Sequence, residues 1–269
     1  MPGLGCSEPA MAPIADHFAP AREVVCVDLY ADLREPAGPP ADSTTISGAA
    51  REILRQATTS VREPFVLVAH SWGSRAAMQA WRERPDLVCG LVLIDDSRMG
   101  GTALEGHPRL ARDAFVHRLG DDPEAGMQQF LRAFIDDCFV AGCTPDSVRD
   151  AMTAQMDRLP VDWARAAFIS VAEWDNGRLT DTLGALAAAS VPVLVVQATY
   201  LDADYRRASL REAAQSPWIG EVREMVGYAE ISVVTGSGHF VQLEHPRAVN
   251  GCIGAWLARS VDGAKVTGE

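Results

Sequence analysis

The chain has no run of basic residues, no apolar stretch long enough to cross a bilayer, and no pair of Cys/His motifs at metal-ligand spacing. Each absence excludes something. Lys plus Arg number 24 against 36 Asp plus Glu, a formal net charge of −12, so neither a nucleic acid nor an anionic membrane is expected as a partner. The longest apolar stretch, Leu183 to Val196, is broken by Gly184, Ser190 and Pro192, whereas a spanning helix needs about 20 apolar residues. No basic segment followed by an apolar one opens the chain, so no secretory signal is read and a cytoplasmic location is the default expectation. The six cysteines (Cys6, Cys26, Cys89, Cys138, Cys143 and Cys252) are irregularly spaced and read as buried free thiols. Cys138 and Cys143 have no second Cys/His pair to complete a ligand set, so no metal is expected. The early glycines lack a preceding strand and dinucleotide spacing, so no cofactor is expected either. There is no internal repeat.

What is present is an ordinary globular composition, 48% hydrophobic and 22% charged over 269 residues. At about 150 residues per domain this means two domains, or one α/β domain with an insertion. Short apolar runs alternate with longer amphipathic ones. The runs are Val24–Val27, Phe65–Ala69, Gly90–Ile94, Val191–Val196 and Ile231–Val234. Continuous Val/Ile/Leu runs of this length predict strands buried on both faces, hence a parallel sheet covered by helices. Helices are expected at about Ser7–Phe18, Thr45–Ala57, Ser74–Arg84 and Pro246–Ala258. The alternation predicts a doubly wound, mostly parallel α/β sheet.

The alternation breaks between Ser97 and Ser190. That stretch reads as helices only: Leu110–Leu119, Pro123–Phe139, Thr144–Leu159, Val161–Glu173 and Leu179–Ala188. The expected organisation is a core of residues 1–96 and 191–260, a helical cap of residues 97–190, and a polar, mobile tail of residues 261–269.

The strand Phe65–Ala69 runs into His70-Ser71-Trp72-Gly73-Ser74 and then into a helix. Strand, sharp turn and helix with a serine at the turn is a nucleophile elbow, here with Ala69 in place of the first glycine. Small residues are needed because strand and helix approach closely there. The turn lifts the hydroxyl out of the sheet and puts the Trp72 N–H at a helix N-terminus, where an oxyanion can sit. A serine needs a base. His239, in Gly236-Ser237-Gly238-His239 after the last strand, lies at the same sheet edge as the elbow. His17, His107, His117 and His245 fit less well, and His70 is expected to point away from the serine.

On these residues the chain resembles the α/β-hydrolase superfamily over nearly its whole length. The resemblance implies that Ser71 is the nucleophile, His239 the base, and residues 97–190 a lid. Pro2-Gly3-Leu4-Gly5 resembles the family's oxyanion loop with Pro2 replacing histidine, which implies that the Leu4 and Trp72 N–H groups bind the oxyanion. Asp28 matches a structural turn. The acid stays open: Asp202 is one residue late for the usual place after the next strand, while Asp95 follows Gly90–Ile94 directly. Haloalkane dehalogenases, zearalenone-type lactonases and cofactor-free quinaldine dioxygenases place the acid there, and Asp95 is favoured. One departure is large. The chain begins at the oxyanion loop, so the fold's N-terminal strands are missing, including the one between Val24–Val27 and Phe65–Ala69. Truncation of a longer chain, direct pairing of those strands, or filling of the slot by other residues are the alternatives, with truncation favoured.

The implied activity is cleavage of a small or medium carboxylic ester or lactone through an acyl-enzyme. The cap's apolar residues, with Trp163 and Trp174, are candidates for substrate contact, although cap core is the commoner role for each. A cofactor-free dioxygenase or C–C bond hydrolase on the same Ser/His/Asp site is the alternative enzyme. A non-catalytic small-ligand-binding protein, as in hydrolase-like hormone receptors, is the alternative of another class. A small-molecule substrate is the expected partner, and a homodimer is left open.

Overall fold

A computed structural model describes residues 1–27, 29, 41–99, 119–140, 142, 144–202 and 206–263. Its centre is a parallel four-stranded sheet of β1 (Phe65–His70), β2 (Val88–Ile94), β3 (Val193–Gln197) and β6 (Glu230–Val233), ordered β1-β2-β3-β6. Val68 pairs with Val92, Val92 with Leu194, and Leu194 with Glu230. Strand side chains alternate in direction. Leu91, Leu93, Val193 and Val195 enter one hydrophobic cluster, while Val92, Ile94, Leu194 and Val196 enter another on the opposite face. Both faces are therefore covered, which explains why these strands read as continuous apolar runs.

One face carries α2 (Ile46–Ser60) and α3 (Trp72–Glu83); the other carries α1 (Ala12–Phe18) and α10 (Pro246–Leu257). Their ends follow local chemistry. The Thr45 hydroxyl accepts from Gly48 N at 2.9 Å and starts α2. Pro85 follows the end of α3, where the residue before a proline disfavours helix. Between β2 and β3 lie α4 (Pro123–Asp137), α5 (Asp146–Met156), α6 (Val161–Trp174) and α7 (Thr180–Ala188). The helix expected at Leu110–Leu119 lies, but for its last residue, outside the described residues, as do Asp28, His107, His117, Cys143 and most of the expected tail.

Three differences from the sequence reading matter. The Ser7–Phe18 segment divides into a short 3-10 turn, Glu8–Ala10, and α1, because Pro9 and Pro13 interrupt it. A hairpin of β4 (Thr199–Leu201) and β5 (Arg207–Ser209) follows β3, and α8 (Pro217–Met225) and the single turn α9 (Val241–Glu244) flank β6. The Val24–Val27 run forms no strand. It does not pair with β1; a cleft of about 660 Å³ lies between them, lined by Val24, Val27, Val66, Val68, Ile253 and Leu257 among others. Among the described residues, only Met1 bonds to this edge, at the end of β1. The Met1 ammonium donates to Val68 O at 2.7 Å and Met1 O accepts from His70 N at 3.1 Å, the pattern of a parallel bridge. Burial pushes that ammonium from its ordinary value down to about 5.

A buried charge cluster ties α3 to the helical segment. Arg75, fully buried, donates from Nε to Asp175 Oδ1 at 2.5 Å, from Nη1 to Asp96, and from Nη2 to Ser97 O at 3.0 Å. Asp175, at the end of α6, also accepts from Met99 N at 2.6 Å. Burial pushes Asp96 up to about 7, against the pull of Arg75 and with the push of Asp175. Removing one partner of such a cluster strands the others without compensation. Arg75→Met is expected to lower unfolding stability by roughly 3–5 kcal/mol in urea melts. Adding Asp96→Asn and Asp175→Asn should restore most of the loss; a change below about 1 kcal/mol for Arg75→Met would contradict the cluster's role.

Candidate active site

Ser71 sits between β1 and α3 with φ 53° and ψ −127°. That is a left-handed conformation a non-glycine residue rarely takes, and it persists only where the surroundings impose it. They do: Ser71 N donates to Ile94 O at 2.9 Å and Ser71 O accepts from Ser74 N at 2.8 Å. The strand thus turns into the helix within one residue. Gly73 is required, because a Cβ there would lie 2.6 Å from Pro2 O. Ala69, fully buried, meets the same demand for a small side chain on the other side.

The turn brings Ser71 Oγ to 2.9 Å from His239 Nε2, and His239 Nδ1 lies 2.6 Å from Asp95 Oδ2. The carboxylate accepts, so Nδ1 carries the proton and Nε2 offers its lone pair to the serine hydroxyl. Asp95 directly follows β2 with φ 43°, and its carboxylate has other donors. Oδ1 accepts from Ala198 N and Thr199 N, each at 2.7 Å, and Oδ2 accepts from Thr199 Oγ1 at 2.6 Å. Arg207 Nη1 stands 3.5 Å from Oδ2. Burial alone would raise the Asp95 pKa, but the bond and charge of His239, with Arg207 and Thr199, outweigh it and hold the group at about 2. Burial and then Arg207 push His239 down to about 4, with Asp95 opposing. At neutral pH the arrangement is a neutral imidazole between a hydroxyl and a carboxylate, which is what proton abstraction from the hydroxyl needs.

The His239 loop is pinned from outside the sheet. His239 N donates to Cys138 O at 2.7 Å, at the end of α4. Glu244 Oε2 accepts from Gly238 N at 2.6 Å and from Ser237 Oγ at 2.7 Å, and Thr144 Oγ1 donates to Glu244 Oε1 at 2.5 Å. A Cβ at Gly238 would come within 2.5 Å of Cys138 O.

Leu4 belongs to a turn pressed against the serine, since a Cβ on neighbouring Gly3 would lie 3.1 Å from Ser71 Cβ. Leu4 lines the space beside Ser71, and the Trp72 N–H begins α3. That space is only about 10 Å³, room for one water. Phe134, Ile135, Cys138 and Met156 close it from α4 and α5, and Cys6 and Phe240 complete it.

Several expected residues are elsewhere. Trp163 and Trp174 do not line this space. Both are buried in the helical segment, and Trp174 Nε1 donates to Gln79 at 2.9 Å. Asp202 does not reach His239: it bends the β4–β5 hairpin, accepting from Arg206 N at 2.9 Å. His70 does not point away. Its Nε2 donates to His239 O at 2.8 Å and its ring lines the pocket, where burial pushes its pKa well down. His17 packs on Phe18 and His245 starts α10. Thr199, Arg207 and Glu244 were missed. Glu244 follows His239 by one turn, a usable signal; Arg207 lies on a three-residue strand that no periodicity reveals.

Comparison with known proteins agrees with this architecture. The alpha/beta hydrolase family model matches residues 1–251, and the chain belongs to that family. No curated protein matches by sequence. Among solved structures, a thermophilic esterase from Thermogutta terrifontis is similar at 18% identity and TM-score 0.74, covering 96% of this chain and 88% of that one. An N-acyl homoserine lactone degrading enzyme is also 18% identical, with TM-score 0.67 and coverage of 95% and 90%. A bromoperoxidase from Bacillus anthracis is 13% identical, with TM-score 0.71 and coverage of 95% and 89%. At these identities the likeness concerns the fold.

In proton NMR the His239 imidazole is expected to titrate far below the ordinary value of about 6.5. The sign for stability follows. Between about 4 and 6.5 the unfolded chain takes up the proton and the folded one does not, so this group's contribution falls as pH drops through that window. A His239 resonance titrating at or above 6.5 would mean that the bond to Asp95 outweighs burial and Arg207.

Proposed function

We propose that this alpha/beta hydrolase is a serine hydrolase that cleaves a small or medium carboxylic ester or lactone. The observation that carries the reading is the continuous path from Ser71 Oγ through His239 to Asp95, with Ser71 held in the left-handed region at a helix start. Esterase and lactone-degrading enzymes among the structural neighbours add to it.

In this reading His239 Nε2 takes the Ser71 proton as Oγ bonds to the substrate carbonyl carbon. The carbonyl electrons move to oxygen, and the Leu4 and Trp72 N–H groups receive that oxyanion. The imidazolium then gives its proton to the leaving alkoxide, which in a lactone stays tethered to the acyl group. His239 then takes a proton from water as the water oxygen bonds to the acyl carbon; the bond from that carbon to Ser71 Oγ breaks, Oγ takes the proton back from the imidazolium, and the acid leaves. Asp95 fixes the imidazole tautomer and balances the imidazolium charge. The helices α4 to α7 act as a cap, and a substrate larger than water needs Phe134 and Met156 to yield.

Against a panel of short and medium esters and lactones, Ser71→Ala and His239→Ala should each lose roughly 10⁴-fold or more in kcat. Asp95→Asn should lose roughly 10³- to 10⁴-fold with the fold intact. Turnover retained in Ser71→Ala but lost in His239→Ala would contradict the acyl-enzyme and favour base chemistry by His239 without a serine nucleophile.

A further inference from the structure

Behind the three-residue path lies a fourth charged group. Arg207, on β5, is 4% exposed in its side chain and donates from Nη1 to Thr199 Oγ1 at 2.7 Å. The same nitrogen is 3.5 Å from Asp95 Oδ2. Because the Thr199 oxygen accepts from Arg207, its own proton is directed to Asp95 Oδ2, the oxygen that also receives His239. The hairpin carrying Arg207 is fixed at the site: Leu210 N donates to Ala198 O at 2.7 Å and Ser209 Oγ to Ser237 O at 2.6 Å. Arg207 does not line the space beside Ser71, so it stands behind the acid and not against substrate.

We propose that Arg207 is a positioning residue that acts through Asp95 and Thr199, aligning the carboxylate and setting the acid limit of the pH range in which His239 is a free base. This rests on the reading of Ser71, His239 and Asp95 as a working triad. A buried carboxylate with no counter-ion favours imidazolium strongly. With Arg207 beside it, the Asp95–Arg207 pair is neutral, and protonating His239 leaves the buried site with one net positive charge.

The groups facing His239 come from every element around it. Among the described residues they are His70 and Ser71 at and after the end of β1, Asp95 just after β2, Arg207 on β5, Glu244 on α9, and Cys138 just after α4. Among these described groups His70 is kept neutral by burial, so Arg207 supplies the positive charge. Its effect on His239 ranks next after burial, and Asp95 and Glu244 oppose it. The Cys138 thiol is also within hydrogen-bonding reach of Arg207, and its own burial pushes it up to about 12, so it adds no charge.

The test is the rate of Ser71 modification by a fluorophosphonate as a function of pH, paired with the NMR titration of His239, in Arg207→Met and Arg207→Lys. Arg207→Met should move the acid limb of the rate upward by about one pH unit, and the His239 titration should move with it. Arg207→Lys keeps the charge but loses the fork, so its limb should stay near that of the wild type while the plateau rate falls. A merely structural role predicts a lower rate at every pH with the limb unmoved, and that result would overturn the proposal. If Arg207→Met fails to fold, Arg207→Gln, which keeps a donor without the charge, carries the same expectation. The two readings fail separately: a His239 titration that shifts in a protein whose Ser71 is never modified supports the role of Arg207 and removes the hydrolase. A modified Ser71 with an unmoved limb does the reverse.

Discussion

The site depends on keeping one carboxylate ionised where water does not reach. Asp95 is fully buried, and burial of a lone carboxylate costs enough that it would take up a proton. Two backbone N–H groups, a threonine hydroxyl, an imidazole and a nearby guanidinium reverse that outcome. The backbone donors come from the residues just past β3 and the imidazole from the loop past β6. The parallel register that puts the ends of these strands side by side is therefore a precondition of the arrangement and of the chemistry proposed for it. A shift of one residue in β2 would carry Asp95 to the other face of the sheet.

A second constraint links the sheet to the helices between β2 and β3. Cys138 O, at the end of α4, holds the His239 backbone, and Glu244 joins the His239 loop to Thr144 just before α5. Arg75 fixes the other end of the segment through Asp175. The helices that close the space over Ser71 thus also hold His239. The same helix end that closes the space over Ser71 is therefore bonded directly to the His239 backbone.

Much of this was legible in the sequence. The strands β1, β2, β3 and β6 are unbroken apolar runs because both sheet faces are buried, and Ala69-His70-Ser71-Trp72-Gly73 is readable because a tight strand-to-helix turn admits few residue types. The backbone brings Asp95, and not Asp202, to His239. Asp95 ends a strand beside the His239 loop, whereas Asp202 bends a hairpin whose strands are too short to show a period. The Val24–Val27 run has the composition of a strand but pairs with no strand among the described residues, and composition alone does not supply a partner. Trp163 and Trp174 illustrate the same limit: an amphipathic pattern shows that a side chain is buried, not which side of a helix layer meets the pocket. Arg207 was invisible because its meaning lies in its approach to Asp95, 112 positions away.

The central claim is that Ser71 is a nucleophile activated by His239. The most direct measurement is peptide mass spectrometry after treatment of the folded protein with a fluorophosphonate, in the wild type and in His239→Ala. The predicted result is a single adduct on Ser71 in the wild type that is absent from His239→Ala. A folded wild-type protein left unmodified at Ser71, or a Ser71 adduct that forms equally well without His239, would contradict it.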